Sequence, residues 1–343
     1  MPPYLLAKIY AWRGSLLSLS TLQELASLRD LSELVTALKA THYNKVLAEL
    51  QPPYTAIQLE HALRRRVVWI HHRISTLKPK ERVVSALYLR YIARNIKVIL
   101  RGLYSQQDTR EISRLVDPYA EELAGARDLT ARLLAAESLE EAINTLGLYY
   151  SDLRDFRLYR EAGELAALDS DIDRWLYRRI QAAVLKTPRS YRREMTRLLQ
   201  PTFYGLALET VLRGKIWGLD PRLVRSLVEG LVDPMFGVVL TVASDCRTPA
   251  ELRSALAVMS RDLVPAIPEA TSFEEVVRFL ERGYRTMRLG RARRIFLSPF
   301  RDELLSVALL ILLEEELATV TGIASGIEQG VSPEILQETI GSV

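Results

Sequence analysis

The 343-residue sequence has little of what most catalytic and metal chemistry uses, with one cysteine and four histidines. Cys246 alone closes no internal disulfide, so no disulfide framework organises the chain. His61, His71 and His72 stand ten and eleven residues apart with His42 further back, which is not the i, i+4 spacing of a zinc pair on a helix. Neither a Gly-x-x-x-x-Gly-Lys-Ser/Thr loop nor a Gly-x-Gly-x-x-Gly turn occurs, so no known loop cradles phosphate, and no cofactor is expected. Long apolar runs are also missing. The longest, Phe236 to Ala243 (interrupted by Gly237 and Thr241) and Val307 to Leu313, fall well short of the ~20 residues that span a bilayer. No membrane crossing is expected. No apolar leader with a small-residue cleavage site follows the N-terminus, so a reducing, cytoplasmic location is expected.

An excess of either charge is absent as well. Forty-six basic and 42 acidic residues leave a formal net charge of +4, which is no histone-like footprint, and nucleic acid is not an expected partner. With 48% hydrophobic and 26% charged residues, the chain has the composition of a globular protein. Its length predicts two or three domains of roughly 100 to 200 residues, and three is preferred. The basic residues are mostly Arg and gather at two places. Arg64-Arg65-Arg66 leads into an apolar run, while Arg285, Arg288, Arg291, Arg293 and Arg294 crowd ten residues around Gly290. Such clusters form solvated faces, or they meet an acidic partner or anionic headgroups. The second cluster is the candidate partner interface. Asp169-Ser-Asp171-Ile-Asp173 resembles the start of a calcium loop, but position six is Arg174 instead of glycine and position twelve is Ile180 instead of glutamate. A solvated helix start is expected there.

What the chain has is helical periodicity. Leu31, Leu34, Val35 and Leu38 form one apolar stripe, and Leu223, Val224, Leu227, Val228 and Leu231 form another. Asp30 with Glu33, Ser138 with Glu141, Thr248 with Glu251 and Ser272 with Glu275 have the spacing of capping boxes. Asp220-Pro221, Thr248-Pro249 and Ser332-Pro333 place a cap before a first-turn proline. The fold class is all-α.

These helices repeat. Leu100-Arg101-Gly102 recurs as Leu212-Arg213-Gly214, and the same offset of 112 leads to Gly326, where Gly326 to Pro333 mirrors Gly214 to Pro221. Each copy is expected to end a helix at its glycine in a left-handed cap, with a new helix from Thr109, Pro221 or Pro333. An earlier element recurs in the same order: Ser32 to Leu38, Glu140 to Leu146 and, as the third copy, Ala250 to Leu256 or alternatively Ser272 to Leu280. Three domains follow, residues 1–113, 114–228 and 229–343.

Tyr4-x-x-Ala7-Lys8-Ile9-x-Ala11, Gly14-Ser-Leu-Leu17, Leu28-x-x-Leu31-x-x-Leu34 and Thr41-x-Tyr43 resemble the C subunit of archaeal-type (A-type) and bacterial V-type ATP synthases, counterpart of the d subunit of eukaryotic V-ATPase. Asn95-Ile96-Lys97-x-x-Leu100-Arg101-Gly102 is similar to that family's signature, and the likeness runs through Leu212-Arg213-Gly214-Lys215 to Glu314-x-Glu316-Leu317. It departs at Leu103, Ala207, Thr319 and Thr321. The resemblance implies three helical domains arranged as a funnel with pseudo-threefold symmetry. It implies a non-catalytic central-stalk rotor part between the central shaft subunits and the membrane proteolipid ring, peripheral on the cytoplasmic side, passing torque between ion flow and ATP chemistry in other subunits. Helices and repeats taken alone equally suit an all-α adaptor or scaffold. An all-α terpenoid-type enzyme would need aspartate clusters on facing helices, and only the poor candidate at Asp169 to Asp173 is present.

Overall fold

The computed structural model describes residues 3–79, 82–125, 128–297 and 302–341. Among them the chain forms nineteen α-helices, one 3-10 turn at Ser151–Leu153 and no strand. The first six helices are α1 (Pro3–Gly14), α2 (Leu19–Ala26), α3 (Leu31–Lys39), α4 (Asn44–Leu47), α5 (Ala56–Leu77) and α6 (Arg82–Tyr104). Seven follow: α7 (Thr109–Leu115), α8 (Tyr119–Ala124), α9 (Leu129–Leu134), α10 (Leu139–Tyr149), α11 (Arg157–Ala162), α12 (Leu165–Leu185) and α13 (Arg189–Ile216). The last six are α14 (Pro221–Val228), α15 (Pro234–Asp245), α16 (Pro249–Ala257), α17 (Phe273–Ile295), α18 (Asp302–Glu328) and α19 (Pro333–Gly341).

The local starting signals act as their chemistry requires. Asp30, Ser138, Thr248 and Ser272 each accept the backbone N–H three residues on, satisfying a first-turn amide. The matching Glu33, Glu141, Glu251 and Glu275 reach back to the amides of Arg29, Glu137, Arg247 and Thr271.

The repeat is visible at the helix ends. α6, α13 and α18 stop at 104, 216 and 328, and the next helices begin at 109, 221 and 333. Amides of Gln107, Leu219 and Val331 bond back to the carbonyls of Gly102, Gly214 and Gly326, each at 2.9 Å. Amides of Gln106, Gly218 and Gly330 bond to the carbonyls three residues before them. Together these make a Schellman motif three times over. The expected place of the left-handed cap is corrected. The repeated Gly102, Gly214 and Gly326 remain helical, and the left-handed residue comes four positions later, at Gln106 (φ 53°), Gly218 (φ 68°) and Gly330 (φ 71°). The helical glycines serve a different need. A Cβ on Gly214 would meet Val224 Cγ2 at 2.5 Å, and one on Gly326 would meet Leu336 Cδ2 at 2.5 Å, so their absent side chains let the following helix fold back closely.

The chain divides into two compact units. The first holds residues 1–95, 110–130 and 292–343. Its centre is α18, buried on every side from Glu303 to Leu313, as a core helix must be when it is apolar all round. α5, α1, α2 and α3 pack on it. Its acids are matched to local needs. Glu303 accepts the Val83 amide at the start of α6 (2.7 Å), Glu328 accepts the Ala56 amide at the start of α5 (2.9 Å), and Glu316 takes the Leu17 amide, His42 and the Tyr43 hydroxyl.

The second unit holds residues 96–109 and 131–291. α13 is its backbone, with α12, α14 and α15 packed along it. Tyr204 stacks on Phe236 with ring centres 3.8 Å apart, and Val211, Leu212, Val224, Val228, Val239, Leu280 and Tyr284 complete one apolar core.

The glycine geometry predicts opposite effects from one substitution. Gly214→Ala should lower stability by ~1 to 2 kcal/mol, since the β-branched Val224 cannot easily yield and the crowding exceeds the helix-propensity gain. Gly237→Ala in α15, where a Cβ meets nothing within 4 Å, should raise stability by ~0.5 to 1 kcal/mol in urea unfolding.

Candidate partner interface

Most positive charge here is carried by arginine, so the candidate interface depends on which guanidinium groups the fold uses internally. Arg64, Arg65 and Arg66 of α5 are all engaged inside the first unit. Arg64 pairs with Glu60, Arg65 sets Nε and Nη2 at 3.2 and 3.3 Å from the Asp117 carboxylate, and Arg66 donates to the His42 carbonyl and the Ser15 hydroxyl. Burial lowers the pKa of the Arg66 guanidinium against the opposing pull of Tyr43 and Glu316. This first basic cluster holds helices together.

The five arginines of α17 divide differently. Arg285 and Arg288 are half-buried and engaged within the chain, while Arg293 and Arg294 are exposed. Arg291 has a specific structural task. Pro201 sits inside α13 and has no N–H, which leaves the carbonyl of Arg197 without its helical donor. Arg291 supplies the missing donor through Nη1, and its Nη2 donates to the Asp262 carbonyl at 2.7 Å.

The aspartates at 169, 171 and 173 lie within α12, one turn past its start, and each has its own partner. Asp169 receives Nε and Nη2 of Arg101, Asp173 receives Lys97 at 2.6 Å, and Asp171 accepts the Tyr159 amide at 3.0 Å. The expected solvated helix start is thereby corrected: these acids clamp the end of α6 and the start of α11 to α12. Burial raises the Asp171 pKa even so. Among the described residues no group of three His, Cys, Asp or Glu side chains is placed to hold a metal. His71 is fully buried between the Val84 carbonyl (2.7 Å) and the Tyr91 hydroxyl (3.2 Å), and burial pushes its pKa well down. Burial raises the Cys246 thiol, the opposite of nucleophile activation.

The family model described as ATP synthase (C/AC39) subunit matches residues 5–339. The chain belongs to this family. It is similar to the C subunit of the A-type ATP synthase of Thermococcus onnurineus, 24% identical over 98% of this chain and 88% of the relative. The corresponding protein of Methanosarcina acetivorans is 27% identical over 66% of this chain and 63% of its own length. That of Halorubrum lacusprofundi is 29% identical over 52% of each. The chain thus spans about half to two thirds of the length of the latter two relatives.

In this C/AC39 family member, the residues that carry the sequence likeness are structural clamps. Asn95 donates to the Asp117 carbonyl at 2.9 Å, and Lys97 and Arg101 hold the two aspartates of α12. Two features escaped sequence reasoning. Arg189, Arg192, Arg193 and Arg197 form a third basic cluster whose i, i+4, i+8 spacing was legible from the start. Glu209 was invisible, because its partial burial near Glu281 arises only on folding. Burial, reinforced by Glu281 and opposed by Arg213, pushes its pKa up to about 7.

These side chains can be tested singly. Arg291→Met should cost ~1 to 3 kcal/mol, the penalty for orphaning a backbone carbonyl. In the Pro201→Ala background the cost should shrink by ~1 kcal/mol, because the restored N–H takes the Arg197 carbonyl; additive effects in the double-mutant cycle would reject the assignment. Glu209 has a folded pKa above its unfolded value, so its contribution is fully present below about pH 4 and lost as pH rises to about 7. Glu209→Gln should therefore leave stability unchanged at pH 4 and raise it at pH 8 by ~1 kcal/mol for this partly solvated group, read as a higher melting temperature at pH 8 only.

Proposed function

We propose that the chain is a non-catalytic central-stalk rotor subunit of an A/V-type ATP synthase. In this reading it links the central shaft to the membrane proteolipid ring and transmits torque between ion translocation and ATP synthesis or hydrolysis in other subunits. The observation that carries it is the family match over residues 5–339. The relatives named above, C subunits of A-type ATP synthases, support the same reading. No helix among the described residues is long and apolar enough to cross a membrane, which suits a peripheral part; the reading puts that part on the cytoplasmic side. The reading includes three similar helical domains, residues 1–113, 114–228 and 229–343, set as a funnel about a pseudo-threefold axis. The Schellman ends at 104, 216 and 328 and the capped starts at 31, 139 and 249 support this threefold sequence organisation. Copies describe where the chain repeats, whereas the two compact units describe where it packs.

The arginines 285, 288, 291, 293 and 294 are the proposed interface, with Arg293 and Arg294 as its accessible members. A torque-bearing joint needs contacts that resist shear, and Arg pairs bidentately with carboxylates. Single exposed pairs contribute only ~0.2 to 1 kcal/mol, so the cluster has to act together. The test is co-purification with the shaft and ring subunits. The parent chain should assemble with both, and the Arg293→Gln, Arg294→Gln variant should assemble more weakly, with a flatter salt dependence and unchanged helix content. A parent chain that joins neither would overturn the rotor reading. A variant that assembles like the parent at every salt concentration would remove these arginines from the interface.

A further inference from the structure

In the second unit, a groove of 660 Å³ runs between the first three turns of α13, the start of α15 and the loop before α17. The volume lies within the ~300 to 1,000 Å³ of ligand-sized sites. Its lining carries five arginines and one aspartate, so one groove holds as much net positive charge as the formal +4 of the whole chain. Elsewhere the charges balance.

The arginines are arranged in a row. Arg189, Arg193 and Arg197 fall at i, i+4 and i+8 and so share one face of α13, spanning about 12 Å along the helix axis. Arg192 stands beside that row. Their engagement differs sharply. Arg197 pairs with Asp262 at 3.1 Å, and Arg291 is held by the two backbone carbonyls described above. Arg192 donates from Nη2 to the Thr187 carbonyl, while its buried Nε has no acceptor among the described residues. Arg189 and Arg193 are exposed, and neither side chain has a hydrogen bond or ion pair among the described residues. The groove is thus built on anchored arginines and presents two unspent ones a turn apart.

Thr196, Gln200 and Ser260 complete its polar lining, and two apolar side chains share it. Met235, 67% exposed, and Leu263 line the groove, and Val238, 58% exposed, continues the bare face of α15 one turn on. A basic row with two apolar side chains across from it matches an amphipathic surface of opposite sign.

We propose that this groove docks an acidic amphipathic helix of a partner protein, with carboxylates at i and i+4 on Arg189 and Arg193 and an apolar side chain against Met235 and Leu263. Three observations select this occupant. The unspent charges are spread one helical turn apart, which fits successive carboxylates on a helix better than one compact phosphate. The groove is concave, which a flat bilayer surface does not fill. Asp262 already pairs with Arg197, so the charge left for an occupant's carboxylates lies at Arg189 and Arg193. The inference deepens the reading of the chain as one part of an assembly, but it does not depend on whether that partner belongs to shaft or ring.

The test uses the purified full chain and a fluorescent, N-acetylated 16-residue helical peptide with Glu on an i, i+4, i+8 row and Leu on the adjacent row. A permuted peptide of the same composition, with the row destroyed, is the control. Anisotropy at low salt should show saturable binding, about tenfold weaker for the permuted peptide and for the Arg189→Gln, Arg193→Gln variant. Met235→Ser should weaken binding without changing its salt dependence. Equal binding of the two peptides, or equal binding by the parent and the double arginine variant, would overturn the proposal. So would tripolyphosphate or phosphatidylglycerol vesicles that occupy the groove more tightly than the ordered peptide. Failure of co-purification with intact peptide binding would sink the rotor reading alone, and the reverse outcome would sink the groove alone.

Discussion

A chain cut into nineteen described helices multiplies the backbone groups that a helix cannot satisfy by itself, because each end leaves four N–H or four C=O groups without a partner. Much of the polar structure of this protein answers that constraint. Ser, Thr and Asp caps take first-turn amides, and Schellman motifs close the last turns of α6, α13 and α18. Where no local side chain serves, a distant one does. Glu303 and Glu328 of α18 reach the starting amides of α6 and α5, so a buried core helix also fixes where its neighbours begin.

The same rule explains why a buried helix can carry acids at all. An ionised carboxylate inside a protein is costly unless it is paired and hydrogen-bonded. Glu316 is buried yet accepts from Leu17, His42 and Tyr43, and Glu314 is paired with Arg90. These residues belong to the stretch that carried the family likeness, and in the structure they join α18 to the N-terminal helices. The Asn95, Lys97 and Arg101 signature does comparable work beside Asp117, Asp173 and Asp169.

Arginine density proved a poor guide to availability. Three consecutive arginines in α5 are bound to neighbouring side chains and carbonyls, and Arg291 repairs the hydrogen bond that Pro201 removes from α13. Arg293 and Arg294, one turn further along the same helix, are exposed. A guanidinium offers five donors and stays charged, so it serves equally to bridge carbonyls inside a unit or to meet a partner outside it. Composition cannot separate the two uses. Position can, as at Arg189 and Arg193, where the fold leaves the charge unspent in a groove shared with Met235 and Leu263.

The sequence by itself determined where the helices start, where they stop and that their ends repeat, because capping is decided within four to six consecutive residues. Thr248 with Glu251, or Gly330 four residues after Gly326, carries its own geometry wherever the helix is placed. The stripe of Val224, Leu227, Val228 and Leu231 likewise named its buried face in advance. Only the tertiary structure decided why Gly214 has no side chain, since the obstacle is Val224 of the next helix folded back upon it. It also decided which charges are used internally: Arg291 meets a carbonyl 94 residues away and Glu316 an amide 299 residues away. Local hydrogen bonds can be read along the chain because their partners are neighbours in it, whereas burial and long-range pairing exist only after distant segments have met.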